Sequence, residues 1–458
     1  MIQMDFENSA SFKRRGLLKA GAAAGVSSLV LPQVSWGASE TPVKIGMIDP
    51  RTGVYAPAGH NEIIGATMAV DEINKKGGIL GRPVQLLVED DNSLPGPAVS
   101  KAQKLVAEDK VNFLMGTVNS AASESLSQFA LQHEMLFVDT GGHADDVTGS
   151  KCHWTTFRTC STTWMLTAGD FETLFKKFGK KWFFIVPDYA FGHALYKDYM
   201  IQLKKAGGQA AGHALAPLGT TDFSSYLIRA RAAKPDVLIC LQAGDDLVNL
   251  LKQAVQFGLD KQMAIAGALQ EMEVLQALPK AALLGWWTFE WYWNQPGVPH
   301  VADFVTAVKK RTGGKVPTAR TWFGYATAHA IAMAANNAKS LDSLKVVKAL
   351  EGMELPPDVA LQPGKVYYRA GDHQMMANMF PGYVPKDASY PNLFKVAEVV
   401  PSEKIPVAGG RWLQDDVPEL KPRPRGGLDR STAKAVGPFA ASAARPRLQP
   451  RPRAPDMK

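Results

Sequence analysis

An α/β fold of two doubly wound, parallel-sheet lobes is what this 458-residue chain predicts. Three observations predict it. Short apolar runs alternate with amphipathic, helix-spaced segments from Val43 onward; glycine pairs and polar clusters punctuate them; and a body of about 380 residues exceeds one comfortable core and divides into two domains.

The elements follow in order. Val43 to Ile48 reads as a strand, and Asn61 to Lys75 carries Ile64, Met68 and Ile73 at helical spacing before stopping at Gly77-Gly78. Val84 to Glu89, Phe113 to Val118 and Leu136 to Thr140 read as strands, separated by helices Ala98 to Asp109 and Ser120 to His133. That order is βαβαβαβ, so the sheet is parallel. A second run begins after Phe157 with helices Trp164 to Phe178, Gly192 to Ala206, Phe223 to Ala233 and Asp246 to Phe257. Its strands are Trp182 to Pro187, His213 to Ala216, Val237 to Leu241 and Met263 to Ala266, which complete the second sheet. Beyond Gly285 come an aromatic segment and helices Val301 to Arg311, Thr321 to Asn337 and Leu344 to Leu350, expected to return to the first lobe. No stretch repeats at a fixed short period, which disfavours a solenoid.

The ends carry different information. Phe12-Lys13-Arg14-Arg15-Gly16-Leu17-Leu18-Lys19, followed by the apolar run Ala20 to Leu31, reads as a twin-arginine export signal over residues 1–38. The apolar run is about a dozen residues, short of the roughly twenty that span a bilayer. Cleavage after Gly37 satisfies the small-x-small rule, and no cysteine lies near the cut to carry a lipid, so the expected product is a soluble periplasmic protein. The formal charge of +8 belongs to the ends. Residues 421–458 hold ten Lys and Arg against two acids, and residues 39–420 hold 37 against 39. A near-neutral body argues against nucleic acid as a partner. The tail, 419–458, has few large apolar side chains to bury and is expected to be disordered, serving either as a polybasic contact or as a dispensable extension. Cys152 and Cys160 read either as a disulfide or as two separate thiols, and Cys240 as a buried core thiol.

Several motifs are collinear with one known family. Ile45-Gly46 to Gly53, Gly65-Ala66, the block Asp71 to Gly81 (DEINKKGGILG), Glu89-Asp90-Asp91, Gly116 to Ser120, Asp188 to Gly192 and Asp372-His373-Gln374 resemble the periplasmic leucine/isoleucine/valine-binding proteins of ABC importers. The likeness runs from about residue 42 to about residue 400. It implies two lobes joined by three crossovers, of the type I periplasmic binding fold, with residues 42–160 plus 289–375 in one lobe and 161–288 plus 376–418 in the other. It also implies a monomer that hands one small ligand to a membrane permease and its ATPase, without cofactor or metal.

In open α/β sheets a ligand sits beyond the carboxyl ends of the strands, where helix N-termini offer N–H groups and a positive dipole end. Strand Phe113 to Val118 runs into Asn119-Ser120, and strand Leu136 to Thr140 into Gly141-Gly142-His143, which together make a candidate carboxylate cradle. By resemblance Ser120 matches a ligand-binding serine and Gly141 a backbone donor, while His143 replaces a threonine. Their bland readings are a helix N-cap, a tight turn and a solvated loop residue. The resemblance also places Ala58, Ala243 and Leu269 where amino-acid binders grip the ammonium with two tyrosines and a glutamate. An ammonium there would lack its partners at a cost of several kcal/mol, so a small aromatic or branched organic acid is the expected ligand.

Tyr55, Tyr189, Phe191 and one or two rings of the segment Trp286 to Trp293, Trp287 above all, are candidates for the apolar wall, with a crossover core as the bland reading for most of that segment. Gln242 and Gln270, at strand ends, read either as hydrogen-bond partners for a distal polar group or as exposed loop residues. Arg320 is expected to be a solvated arginine at a helix start, with a second carboxylate contact as its alternative. A ligand-sensing receptor domain of the same fold and a branched-chain amino-acid binder are the alternative functions. The chain has no GxSxG, HExxH or GxxxxGK motif and no Cys/His metal spacing, which argues against an enzyme. Asp372-His373-Gln374, the one cluster resembling a catalytic pair, is expected to form a structural network near the crossovers.

Overall fold

The computed structural model describes residues 41–405. The export-signal reading and the basic tail lie outside the described residues.

The first lobe is built on β1 (Val43–Asp49), α1 (Ala56–Lys75), β2 (Val84–Asp90), α2 (Pro95–Ala107), β3 (Phe113–Gly116), α3 (Ser120–Gln132), β4 (Phe137–Asp139) and β5 (Thr156–Arg158). Its five strands are all parallel, in the order β2-β1-β3-β4-β5. Helices cover both faces, so β1 reads as a nearly continuous buried run rather than an alternation. Helix α1 begins five residues before its apolar periodicity does, with Pro57 in its first turn, where a missing N–H is harmless. It ends where Gly78, at φ +78°, packs so closely that a Cβ would lie 1.9 Å from the Arg82 carbonyl oxygen.

The second lobe contains α4 (Thr163–Phe178), β6 (Lys181–Pro187), α5 (Ala190–Lys205), β7 (Gln209–Ala216), α6 (Ser224–Ala233), β8 (Val237–Cys240), α7 (Gly244–Gln256), β9 (Ala264–Ala266), α8 (Met272–Ala277) and β10 (Trp286–Phe289). The sheet is not complete at Ala266, contrary to expectation. The aromatic segment pairs in parallel with β9 as β10, and two further strands extend the sheet beyond it.

The chain then returns to the first lobe with α9 (Val301–Thr312), α10 (Ala319–Ala338), α11 (Ser343–Leu350), α12 (Pro357–Ala360) and the short pair β11 (Tyr367–Tyr368) and β12 (Met375–Met376). A third crossing leads to β13 (Phe380–Tyr383) and β14 (Lys395–Val396), which close the second sheet antiparallel, in the order β14-β13-β10-β9-β8-β6-β7.

Helix α10 has no polar stripe and is buried on nearly every face, as a helix apolar all round must be. It crosses α1 at two reciprocal glycines. A Cβ on Gly65 would lie 1.8 Å from the Thr321 carbonyl oxygen, and one on Gly324 would lie 2.0 Å from that of Glu62. This contact between backbones sets the first turn of α10 against the first half of α1, at the edge of the cleft.

The first-lobe core packs β1, β3 and β4 against α1, α9 and α10, and a separate cluster fills the other face of that sheet. Cys152, Cys160 and Cys240 are three free, buried thiols. Asp372-His373-Gln374 forms the expected structural network. Gln374 accepts from Arg158 Nε at 2.7 Å and donates to the Cys160 carbonyl at 2.7 Å, and the His373 ring stacks on Phe157 at 3.9 Å between centroids. No helix among the described residues is long and apolar enough to cross a membrane.

Candidate functional site

The carboxyl ends of both sheets meet across one cleft, and the cleft is shut. The Tyr55 hydroxyl, just before α1, hydrogen-bonds the Tyr189 hydroxyl, just before α5. Gly244, at φ +57°, lies so close to the opposite lobe that a Cβ would fall 2.6 Å from the Val54 carbonyl oxygen and 2.9 Å from the Tyr55 ring. The Asp245 amide donates to that carbonyl at 3.3 Å.

The aromatic candidates form a continuous row. Tyr189 lies 6.0 Å from Phe191 between ring centroids, and Phe191 lies 5.7 Å from His143. His143 is buried rather than solvated, and its Nε2 sits 2.8 Å from Glu290 Oε2. Burial pushes the Glu290 carboxyl up, but the neighbouring His143 and the hydrogen bonds outweigh it and hold the group below its ordinary value. Glu290 also accepts the Ser161 amide at 2.8 Å, which ties His143 to the crossover between lobes.

The cradle differs from its reading in three respects. Asn119, not Ser120, caps α3: its Oδ1 accepts from Ala121 and Ala122 at 2.8 and 3.2 Å, while its Nδ2 donates to the Ser93 carbonyl at 2.9 Å. Asn119 is therefore committed to the fold. The Gly141 and Gly142 amides already hold a carboxylate, that of Asp139, at 3.3 and 3.0 Å. The missing side chains make room for neighbouring groups instead of an anion. A Cβ on Gly142 would lie 2.0 Å from Ser123 Oγ, and one on Gly141 would lie 2.4 Å from Arg320 Nη1. Ser120, in the first turn of α3, accepts the Ala144 amide at 3.1 Å, which leaves its hydroxyl hydrogen to donate.

Trp287 does not face the cleft. It is fully buried in the second-lobe core, its indole N–H satisfied by the Leu284 carbonyl at 2.9 Å, because the strand alternation of β10 points it at the helix layer. Trp291 is likewise spent on the first-lobe core.

Gln242 and Gln270 are 2 % and 1 % exposed, not surface loop residues. They follow the adjacent strands β8 and β9. Neither Gln242 side-chain Oε1 nor Nε2 has a hydrogen-bond partner, and neither does Gln270 Nε2. Ala58, Ala243 and Leu269 are buried in one apolar cluster with Tyr55, Val118 and Phe191, contributed by both lobes.

The largest departure is Arg320. Expected in solvent, it is 2 % exposed. Its Nη1 lies 3.0 Å from Glu62 Oε1 on α1, and its Nε lies 2.5 Å from Glu271 Oε1 in the second lobe. The α1/α10 glycine crossing brings Arg320 and Glu62 together over 258 residues of sequence, and no local pattern signals it. Burial raises the Glu62 carboxyl to about 7 despite Arg320 and the Thr140 hydroxyl, which pull it down. Among the described residues no group of three His, Cys, Asp or Glu is arranged to hold a metal ion.

A hinged pair of α/β lobes closing over a cleft at the strand ends defines a ligand-binding clamp. The sequence profile of the periplasmic binding proteins matches residues 42–389, and the chain belongs to that family. It is an ABC-type substrate-binding protein of the branched-chain amino-acid-binding group. A Leu/Ile/Val-binding protein homolog of Brucella suis is 27% identical over 360 residues, which covers 75% of this chain and 87% of that protein. A periplasmic binding protein from Burkholderia mallei superposes with a TM-score of 0.74 at 30% identity, over 79% of this chain and 95% of that one. A solute-binding protein of an ABC transporter from Rhodopseudomonas palustris, solved with 3,4-dihydroxybenzoic acid, has the same fold, with a TM-score of 0.70 at 23% identity over 80% and 99% of the two chains.

Proposed function

We propose that this protein encloses a small carboxylate, an aromatic or branched organic acid, in its interlobe cleft and presents it to a membrane permease and ATPase. The observation that carries this reading is the unpaired amides of Gln242 and Gln270. Native proteins pair their buried polar groups, and three orphan atoms at neighbouring strand ends mark a place where a ligand supplies the partners. A hydroxyl or carbonyl on the ligand's far end matches both amides.

Around those amides the wall is apolar and aromatic: Tyr55, Phe191, Ala58, Ala243 and Leu269. A ring or a branched chain fits it, and the side chains of Ala243 and Leu269 themselves offer an ammonium neither an anion nor an aromatic face. At the opposite end Ser120 offers its hydroxyl hydrogen to the acid, at the positive end of α3. The R. palustris complex illustrates that this fold can enclose an aromatic acid. Lobes meeting near residues 160, 289 and 376, export through the twin-arginine pathway and a monomeric state belong to the same proposal. The ligand leaves unchanged, since the cleft is a clamp.

One observation favours a second reading, an α-amino acid as ligand. Glu271 reaches into the cleft two residues from Leu269 and could face an ammonium, and the curated relatives carry the Leu/Ile/Val name. Titration calorimetry against benzoate, 4-hydroxybenzoate, 3-methyl-2-oxobutanoate and leucine separates the two. Tight binding of leucine with no heat from the acids overturns the carboxylate reading.

A further inference from the structure

Arg320 is one guanidinium that touches both lobes and the cradle loop. It bonds Glu62 in its own lobe and Glu271 across the cleft, and it fills the space left by Gly141. The buried arginines among the described residues are Arg158 and Arg320, and no lysine is buried there. Arg158 is committed elsewhere, to the Gly142 and Ala144 carbonyls at 2.9 and 2.6 Å and to Gln374. An acid enclosed in this cleft therefore has Arg320 as its buried positive counter-ion.

Arg320 already faces two carboxylates, with the Glu290 charge nearby. A third anion added to this set would be buried without compensation, and a buried unpaired charge is strongly disfavoured. One carboxylate must withdraw or take up a proton. Glu62 is fixed in the α1/α10 crossing and accepts a second bond from the Thr140 hydroxyl through its other oxygen. Glu271 stands at the start of the six-residue helix α8 in the opposite lobe, the lobe that moves away when the cleft opens.

We propose that Glu271 is a place-holder on Arg320: it occupies the position that the acid group of the ligand takes on binding, and this exchange makes Arg320 the residue that selects acids. The inference rests on the carboxylate reading. The protein's own carboxylate bridges the lobes until a stronger competitor arrives.

The test uses the mature chain and its Glu271→Gln variant, which is isosteric and leaves Arg320 paired with Glu62; thermal melting checks that the variant is folded. Calorimetry with benzoate, 4-hydroxybenzoate and 3-methyl-2-oxobutanoate should show at least tenfold tighter acid binding in the variant. Small-angle scattering of the ligand-free variant should give a larger radius of gyration, since the bridge is gone. Acids that bind both proteins equally, or the variant more weakly, overturn the place-holder and leave the carboxylate reading standing. If no acid binds either protein and leucine binds the wild type but not the variant, both proposals fall and Glu271 is the partner of an ammonium.

Discussion

Replacing Gln242 by methionine separates a ligand-binding amide from a structural one. The side chain keeps its length and approximate volume, so packing changes little. In the shut cleft both polar atoms of Gln242 are buried without a partner from the chain, and each such group costs about 1–3 kcal/mol. Removing them should raise ligand-free stability by about 1–2 kcal/mol, after allowing for the relaxation that any substitution brings. For a protein of this size that is a rise of a few degrees in Tm. Binding should move the other way. Two hydrogen bonds lost from the complex amount to about 1.5–3 kcal/mol, or roughly ten- to hundredfold in Kd. Thermal unfolding without ligand and calorimetry with the acid panel read the two effects independently. A variant that melts below the wild type and binds the same acid with unchanged affinity refutes the argument, because Gln242 would then be paired within the fold.

Three further predictions concern other parts of the molecule. Ser120→Ala removes the donor at the start of α3 and should weaken acid binding about tenfold, with little effect on a neutral analogue such as benzamide; calorimetry on the two compounds decides it. Trp287→Ala should cost about 3–5 kcal/mol of stability through the cavity it leaves, while the variant that remains folded at low temperature keeps the wild-type Kd. Stability should fall as pH rises. Burial raises Asp198 and Glu273 to about 8, Glu62 to about 7, and Asp91 and Asp246 to about 6. The folded state therefore holds protons that the unfolded chain has released. That stability is fully present below the ordinary carboxylate range and is lost as pH passes through about 6 to 8. The Tm should be lower at pH 9 than at pH 5, and the opposite order would contradict it.

Local chemistry made much of this molecule legible from its residues. The apolar runs at Val43, Phe113, Trp182 and Val237 are strands because a parallel sheet buried on both faces needs continuous apolar segments. The Gly77-Gly78 stop and the motifs that point to the family are equally local. Strands β10 and β13 were harder to read, since a four-residue run becomes a strand only when a partner lies beside it, and β13 pairs with β10 from about ninety residues away.

The cleft divides along the same line. Position along the strand ends nominated Ser120, His143, Gln242 and Gln270, the first two with the family resemblance, because a doubly wound sheet presents those ends to one crevice, and aromatic character nominated Tyr55 and Tyr189. What each side chain does there depended on partners distant in sequence. Asp139 took the Gly141 and Gly142 amides, Glu290 took His143, and the close crossing of Gly65 and Gly324 drew Arg320 out of solvent and onto Glu62 and Glu271. Periodicity and turn chemistry specify the backbone over a few residues at a time. Burial and charge pairing are properties of the assembled packing, so only the tertiary structure decided which polar groups were satisfied and which were not.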